Sequence, residues 1–229
     1  MATDATQERI LNAAEVHLGR YGFRATSLRG VIVDAGVNAA AIHYHFGSKA
    51  ALFHAVVMRR LKPLDEERRR RLTHLYADKP CDALTLEAIL GAFVRPSFEL
   101  AQENDAGDAW VKLIGRYNLE PGSHWRGAEK SHRRTLRPFL KALHEILPDL
   151  PQAELNFRFA MVLELFAAML CGATRSRLMD AEIPSVQTDA ENVIRSVISF
   201  AAGGLRVPLP TDTSARAKAR SGPMHPLSC

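Results

Sequence analysis

Apolar side chains recur every three or four residues along almost the whole chain, which is the spacing of one face of an α-helix. The first such run covers residues 6–21 and includes Ile10 and Ala14. Longer runs follow at residues 84–104, 108–119, 124–147, 152–178 and 187–204. The sequence shows neither a strand-like alternation nor an internal repeat. The pattern predicts an all-α fold, with a kink or break at Pro96 and Pro138 because proline lacks the amide hydrogen that a helix needs.

Short helices with clear start and stop signals are predicted in the first 60 residues. Asp4, with a glutamine three residues later, forms a capping-box start for the first helix, and Gly22 ends it. Thr26 or Ser27 caps a second helix over residues 28–35, which is ended by Gly36.

A third and a fourth helix follow at once. Asn38 caps the third, which reaches about Phe46, and Ser48 caps the fourth. Because the second and third helices are joined by a tight glycine-containing turn, they predict a helix-turn-helix. Its small core is formed by Val31, Ile32, Val37 and Ile42.

The rest of the chain divides by composition. Residues 1–60 are predicted to form the helix-turn-helix domain and residues 61–206 a larger helical domain. The run DEERRRRLTH (residues 65–74) continues a helix and is interpreted as a solvated charged face. Residues 207–229 are rich in Pro, Ser and Ala and predict a disordered basic tail.

Composition narrows the class of protein. The chain has 229 residues, a net charge of +5 and three widely spaced cysteines, which indicate free thiols in a reducing compartment and neither a disulfide frame nor a zinc site. It has no apolar run long enough for a membrane span and no leader-like N-terminus, so a cytoplasmic location is expected. Residues 1–62 hold eight Lys and Arg side chains against four Asp and Glu, and this excess favours a polyanionic partner.

The stretch AGVNAAAIHYHFGSK (residues 35–49) places small side chains directly before a cluster of rings. A metal site at His43 and His45 fails on geometry, because residues two apart on a helix point about 200° apart. No metal and no cofactor are expected. The small residues instead suit a helix that must lie close to something large.

Residues 7–60 resemble the DNA-binding domain of the TetR family of transcriptional regulators. The resemblance rests on Ile10, Ala14 and Gly22, on Thr26-Ser27, on Ala35-Gly36-Val37, on Tyr44-His45-Phe46 and on Ser48-Lys49, in that order and at that spacing. It implies a dimeric regulator that binds double-stranded DNA, and an all-helical second domain that binds an inducer and dimerises through its last two long helices. A repressor that a small effector releases from a near-palindromic operator is the expected function.

Physical chemistry supports this interpretation of the helix-turn-helix. Small side chains at residues 38–41 (Asn38, Ala39, Ala40 and Ala41) would let the third helix sit deep in a major groove. His43, Tyr44, His45 and Lys49 can reach phosphates, as can Thr26 and Ser27 at the start of the second helix. Arg29 is the candidate for a guanine contact, because only arginine presents a bidentate fork.

Two positions depart from the family pattern. His43 stands where a tyrosine is usual, and Ala41 where a threonine is frequent. Base recognition then depends on thymine-methyl contacts, Asn38, Arg29 and Tyr44.

The second domain offers candidates for an effector pocket and for a dimer interface. The stretches AWVKLIGRYNLEP and LRPFLKALHEILPDLPQAELNFRF resemble PsrA-like regulators, some of which respond to fatty-acid ligands, so an acyl or aromatic effector is expected. The candidate pocket residues are Phe93, Trp110, Leu113, Ile114, Arg116, Tyr117, Phe139 and Leu143, with His132 as an alternative polar anchor. The run 152–178 is apolar nearly all round, and the run 187–204 carries apolar and small residues. Val197 and Phe200, in the second of these two helices, are assigned to the dimer interface.

An alternative of another class is a small all-helical enzyme, or a ligand carrier, with an incidental basic N-terminus. The sequence shows no nucleophile–base pair, phosphate loop or metal-spaced cluster, so no catalytic residue is assigned and an enzyme is not expected. DNA binding that falls steeply with salt would distinguish the two readings.

Overall fold

The computed structural model of the chain describes residues 2–77, 84–102, 107, 110, 111, 113, 122, 125–170 and 186–209. Within these ranges the regular structure is helical throughout, which confirms the all-α prediction. In chain order the helices are α1 (Ala2–Ala25), α2 (Leu28–Ala35), α3 (Ala39–Phe46), α4 (Lys49–Ala77), α5 (Leu86–Gln102), α6 (Arg126–Ile146), α7 (Gln152–Leu170) and α8 (Val186–Arg206).

Most local start and stop signals act where the sequence places them. Asn38 accepts a hydrogen bond from the Ala41 amide at 2.9 Å, and Ser48 caps α4 in the same way. Gly36 ends α2 with φ 61°, a conformation that favours glycine. The helix α1 begins at Ala2, ahead of the expected cap at Asp4.

The two internal prolines do not end their helices. Both α5 and α6 continue through Pro96 and Pro138. Of the two predicted outcomes, the break is therefore wrong at both sites, because packing of the apolar faces of these helices outweighs the loss of one backbone hydrogen bond. The kink stays a prediction. Most of the helix predicted at 108–119, the end of the run 152–178 and the tail beyond residue 209 lie outside the described residues.

A small core holds the N-terminal helices together. Val31 and Ile42 are buried there, and Ile32 and Val37 pack against the same cluster from partly exposed positions. The cluster also includes Trp125, whose ring meets the Phe53 ring edge-on at 4.7 Å between centroids. The N-terminal helices therefore pack directly on the start of α6.

A larger core surrounds α5, which packs against α4, α6, α7 and α8. The inward side of α8 supplies Val193, Ile194, Val197 and Ile198 to this core. The assignment of Val197 to a dimer interface is therefore wrong, because α5 and α7 of the same chain already cover it. Phe200, by contrast, is 72% exposed.

The helix α4 joins the two cores. Its first turns contribute Leu52 and Phe53 to the N-terminal core, and Leu72 near its end belongs to the larger one. The helix runs without interruption across residue 60, where the sequence suggests a domain boundary. A displacement of α4 would therefore move the N-terminal helices with it.

Candidate nucleic-acid interface and ligand cavity

The outer face of α3 is exposed and built from small side chains. Ala39 and Ala40 are exposed, and Ala41 is half-buried against the N-terminal core. Asn38 uses its side-chain oxygen to cap the helix, which leaves its amide group as a donor. Such a surface lets the backbone of the helix approach a flat or grooved partner closely.

Ring side chains follow on the next turn of α3. Tyr44 is 80% exposed, and its ring meets the ring of His45 edge-on. His43 is exposed, with Nδ1 at 3.3 Å from the Gly47 carbonyl oxygen. Phe46 is half-buried and packs on the core, as expected for a structural residue. Tyr44 is thus the large side chain of α3 that reaches farthest from the fold.

The start of α2 lies on the same module but offers fewer donors than expected. Ser27 is the N-cap residue, exposed and without a side-chain capping bond. Arg29 is exposed on the first turn. Thr26 is buried, and its hydroxyl lies within hydrogen-bond distance of the carbonyl oxygens of Gly22 (2.6 Å) and His17 (3.1 Å). Thr26 therefore fastens α1 to the turn before α2, and its expected phosphate contact does not fit this position.

Lys49 also has a role inside the fold. Its ammonium donates to the carbonyl oxygen of Arg24 at 3.2 Å and lies 4.9 Å above the centre of the Phe23 ring. The side chain thus neutralises the negative end of α1, where a cation is favoured. A phosphate contact by Lys49 would share the charge with these partners.

Part of the positive charge of the N-terminal region is paired within the fold. Arg59 and Arg60 on α4 both pair with the buried carboxylate of Glu15 on α1, and Arg59 also contacts Glu8. These ion pairs join α1 and α4. These two arginines are therefore less available to a polyanion than the count of eight Lys and Arg suggests.

A cavity of about 420 Å³ lies between α4, α5, α6 and α7. Apolar and aromatic side chains form most of its wall. They are Val57, Leu61, Leu64, Phe93, Trp110, Trp125, Ala128, Leu136, Ala160, Leu163, Phe166, Ala167 and Leu170. Both tryptophans of the chain are among them. The volume and the lining are typical of a site for a small organic molecule.

One wall of the cavity carries a buried ion pair. The Arg68 guanidinium donates to Asp65 Oδ1 (3.2 Å), to the Phe93 carbonyl oxygen (2.9 Å) and to Ser97 Oγ (2.8 Å). It also lies 4.0 Å from the centre of the Phe93 ring. Burial lowers the pKa of Arg68 to about 10, although Asp65 opposes this shift. The pair is therefore held by hydrogen bonds that replace its lost hydration.

The interpretation of residues 65–74 as a solvated face is wrong at these two positions. Asp65 and Arg68 continue the buried stripe of Leu61, Leu64 and Leu72 along α4. The spacing of four residues from Leu61 to Asp65, and from Leu64 to Arg68, was the available signal. The neighbouring Arg69 and Arg70 are exposed, as the sequence suggests.

The expected pocket residues divide into three groups. Phe93 and Trp110 line the cavity, as does His132. Leu113, Phe139 and Leu143 are buried in the two cores and are absent from the lining, because they fill space between helices. Ile114, Arg116 and Tyr117 lie outside the described residues. Sequence reasoning missed Arg68, Ser97 and Trp125.

The described part of the chain holds neither a candidate metal-ion cluster nor a helix able to span a membrane. No group of three or more His, Cys, Asp or Glu side chains is placed there to hold a metal ion. None of the helices described is long and apolar enough to cross a membrane.

Two family models match the chain. The model described as "Bacterial regulatory proteins, tetR family" matches residues 10–56, which contain α2, α3 and the start of α4. The model described as "Tetracyclin repressor-like, C-terminal domain" matches residues 91–204. Together the two models cover well over half of the chain.

A curated protein of Shigella flexneri, the HTH-type transcriptional dual regulator CecR, is 29% identical over 125 residues. The match covers 52% of this chain and 53% of that protein, so it spans about half the length of the relative.

Solved structures share the fold at low identity. The fatty acid degradation regulator FadR of Bacillus halodurans aligns over 87% of this chain and 99% of its own, with 14% identity and a TM-score of 0.59. SmeT of Stenotrophomonas maltophilia, in complex with triclosan, aligns over 90% and 100%, with 20% identity and a TM-score of 0.55.

Proposed function

The chain belongs to the TetR family of bacterial transcriptional regulators, and we propose that it is a repressor that a small molecule releases from DNA. In this proposal a dimer binds a near-palindromic operator through α3 of each protomer. Filling of the cavity between α4 and α7 then changes the spacing of the two α3 helices.

The exposed outer face of α3 is the observation that carries the proposal. A helix with alanines at its leading turn and an 80% exposed tyrosine beyond them has the shape that a major groove admits. Arg29 and Ser27 lie on the adjoining helix, where a guanidinium can read a guanine and a hydroxyl can meet a phosphate. His43, Tyr44, His45 and Lys49 supply further phosphate contacts.

The exposed side of α7 and α8 supports a dimer. Phe157 and Met161 on α7 are 62% and 49% exposed, one helical turn apart, and Phe200 is exposed on the neighbouring α8. Gly203 and Gly204 continue this side with open space above them, so a second helix can approach α8 closely. A second copy of the chain, related by a two-fold axis, would cover these side chains.

Contacts along α4 supply a route from the cavity to α3. Val57, Leu61, Leu64 and Arg68 line the cavity, while earlier turns of the same helix hold the N-terminal core. The ion pairs between Glu15 and the two arginines of α4 make α1 move with this helix. A ligand that displaces α4 would therefore swing the DNA-binding module as one body, away from the separation of roughly 34–36 Å that successive major grooves require.

An apolar or aromatic effector suits the lining better than a sugar or a metal ion. The SmeT structure in its complex with triclosan supports an aromatic molecule, and the name of FadR, together with the resemblance to PsrA-like regulators, is the indication of an acyl chain. A carrier without DNA binding is the competing function, and the same cavity would serve it.

Selection of bound duplexes from a random DNA pool with the full-length protein tests the proposal. We expect an enriched palindrome whose half-sites lie about one helical turn apart. We expect Arg29→Ala to lose discrimination at one position of each half-site, by about 1–3 kcal/mol. Arg137→Ala, an exposed arginine of α6, is the matched control and should change neither affinity nor sequence preference. Failure to enrich any sequence, with weak and salt-insensitive binding, would favour the carrier.

A further inference from the structure

His132 is a polar side chain that both lines the cavity and lies beside the buried ion pair. Its Nδ1 atom lies 3.8 Å from Asp65 Oδ1, is shielded from solvent and has no hydrogen-bond partner in the described part of the chain. The side chain as a whole is 30% exposed. The accessible part of the ring is therefore the part away from Nδ1, and it faces the cavity.

The environment of Asp65 determines where a neutral imidazole carries its proton. Arg68 already pairs with the Asp65 carboxylate. With Nδ1 towards the carboxylate, the favoured tautomer has its proton on Nδ1, because two acceptors facing each other repel. Nε2 then carries a lone pair and can only accept a hydrogen bond.

The other charged side chains of the cavity wall also disfavour an anionic ligand. Arg68 lies beside Asp65, and Arg133 lies 4.0 Å from a carboxylate oxygen of Glu129. Each arginine in the cavity lining is thus already within ion-pair distance of a carboxylate. The lining also includes the carboxylate of Glu164. An anionic ligand would therefore find no arginine in the lining that lacks a carboxylate partner.

We propose that the cavity selects an uncharged ligand that has an apolar body and one hydroxyl group, and that His132 is the residue that selects it. The hydroxyl donates to His132 Nε2, and aromatic side chains such as Phe93, Trp110 and Trp125 enclose the body. This inference rests on the proposed function only in that it concerns the same cavity. It departs from the fatty-acid expectation, because it excludes a carboxylate as the preferred head group.

Three probes with the same body test the head group: 4-pentylphenol, pentylbenzene and 4-pentylbenzoate. Binding to the full-length protein is followed through tryptophan fluorescence, to which only the two cavity tryptophans contribute. We expect the phenol to bind roughly tenfold more tightly than pentylbenzene, since it satisfies one buried acceptor. The benzoate should bind most weakly. Equal or tighter binding of the benzoate, or no binding of any probe, would overturn the inference.

Two substitutions at residue 132 assign the preference to His132. His132→Phe fills similar space without an acceptor, and we expect it to bind the phenol and pentylbenzene with equal affinity. His132→Gln keeps an amide oxygen as acceptor and should retain most of the preference. A preference that persists in His132→Phe would show that another group selects the head.

Release of DNA is measured separately with the same probes. A phenol preference without any effect on DNA would contradict the proposed function and leave the ligand inference standing. DNA release driven by the benzoate alone would contradict the ligand inference and leave the proposed function standing.

Discussion

Asp65 and Arg68 show how strongly the stability of the fold depends on a charged residue that is buried and paired. Removal of one partner leaves the other charge buried and unpaired, at a cost of about 3–5 kcal/mol. We therefore expect Arg68→Met to lower the free energy of unfolding by that amount in urea denaturation. Asp65→Asn in the same chain should restore much of the loss, because it removes the orphaned charge.

The exposed neighbour Arg69 supplies the matched control. Arg69→Met removes the same charge from the adjacent position, which faces solvent. It should change the free energy of unfolding by less than about 0.5 kcal/mol. Similar losses for both substitutions would contradict a special role for the buried pair.

Glu67, on the outer side of the same helix, makes the free energy of unfolding depend on pH. Hydrogen bonds from Arg70 and then Arg71 lower the pKa of its carboxyl from 4.5 to about 2. Because this pKa is lower in the folded chain, the folded state binds fewer protons, and the stabilisation is complete above about pH 4.5 and is lost as the pH falls towards 2.

We expect Glu67→Gln to destabilise the protein at pH 7 by less than about 1 kcal/mol, since the pairs are partly exposed and screened. The difference from the unsubstituted chain should shrink between pH 4.5 and pH 2. Urea denaturation across this range measures it, with Glu66→Gln as the control at an exposed neighbouring position. A difference that stayed constant with pH would rule out the carboxylate as its source.

Residue by residue, the sequence predicts local interactions better than distant ones. Asn38, Ser48 and Gly36 act where they were expected, because a cap or a left-handed turn depends on a few adjacent atoms. Thr26 and Lys49 bond instead to carbonyl oxygens of α1. The partner of Lys49 lies 25 residues away along the chain, and nothing in the spacing of the sequence indicates it. The bond from Thr26 to Gly22 spans only four residues, so here a local contact was missed.

At the scale of helices, α4 combines a packed start with a proline in its middle. Pro63 has no amide hydrogen, so the Arg59 carbonyl lacks its usual helical partner. The surrounding turns line the cavity, so we expect this weak point to absorb part of the bend when a ligand enters.

Pro63→Ala tests this role of the proline. Alanine restores the hydrogen bond, and we expect the free energy of unfolding to rise by about 1–3 kcal/mol. The effect of 4-pentylphenol on DNA affinity should fall, because a stiffer α4 resists displacement. Glu66→Ala at the next exposed site is the control. An unchanged ligand effect in a stabilised Pro63→Ala protein would place the bend elsewhere.

The exposed face of α7 and α8 includes only one of the two residues that the sequence assigned to the dimer interface. Apolar periodicity marks Val197 and Phe200 alike, but only the fold shows that Val197 packs against its own chain. Helix type and length could be predicted because they follow from periodicity. Which apolar side chains turn inward could not, because α7 is apolar nearly all round and Phe200 adds an apolar side chain to the outer side of α8.

Phe157→Glu combined with Phe200→Glu tests the proposed dimer. Both side chains are exposed in the single chain, so the charges should leave the protomer folded and disrupt the dimer. Light scattering should then report a monomer, and DNA affinity should fall because the two half-sites are no longer bound together. Val16→Glu, an exposed valine on α1, should leave the dimer intact. A doubly substituted protein that stays dimeric would refute this surface.

At the scale of the whole molecule, the position of the two tryptophans makes the cavity directly observable. Trp110 and Trp125 both line it, and Trp125 also contacts Phe53 in the N-terminal core. Fluorescence therefore reports ligand entry at the place where the cavity meets the DNA-binding module. No other tryptophan in the chain obscures the signal.

Thermodynamic linkage then gives the final test of regulation. If a ligand weakens DNA binding by some factor, DNA must weaken ligand binding by the same factor, typically about 5–150-fold. We expect the dissociation constant of 4-pentylphenol, measured through tryptophan fluorescence, to rise by that factor when the selected operator saturates the protein. A scrambled duplex of equal length is the control and should leave the constant unchanged at moderate salt. Equal dissociation constants with and without operator would mean that the cavity binds its ligand without communicating with α3, and α4 would then serve as a rigid support.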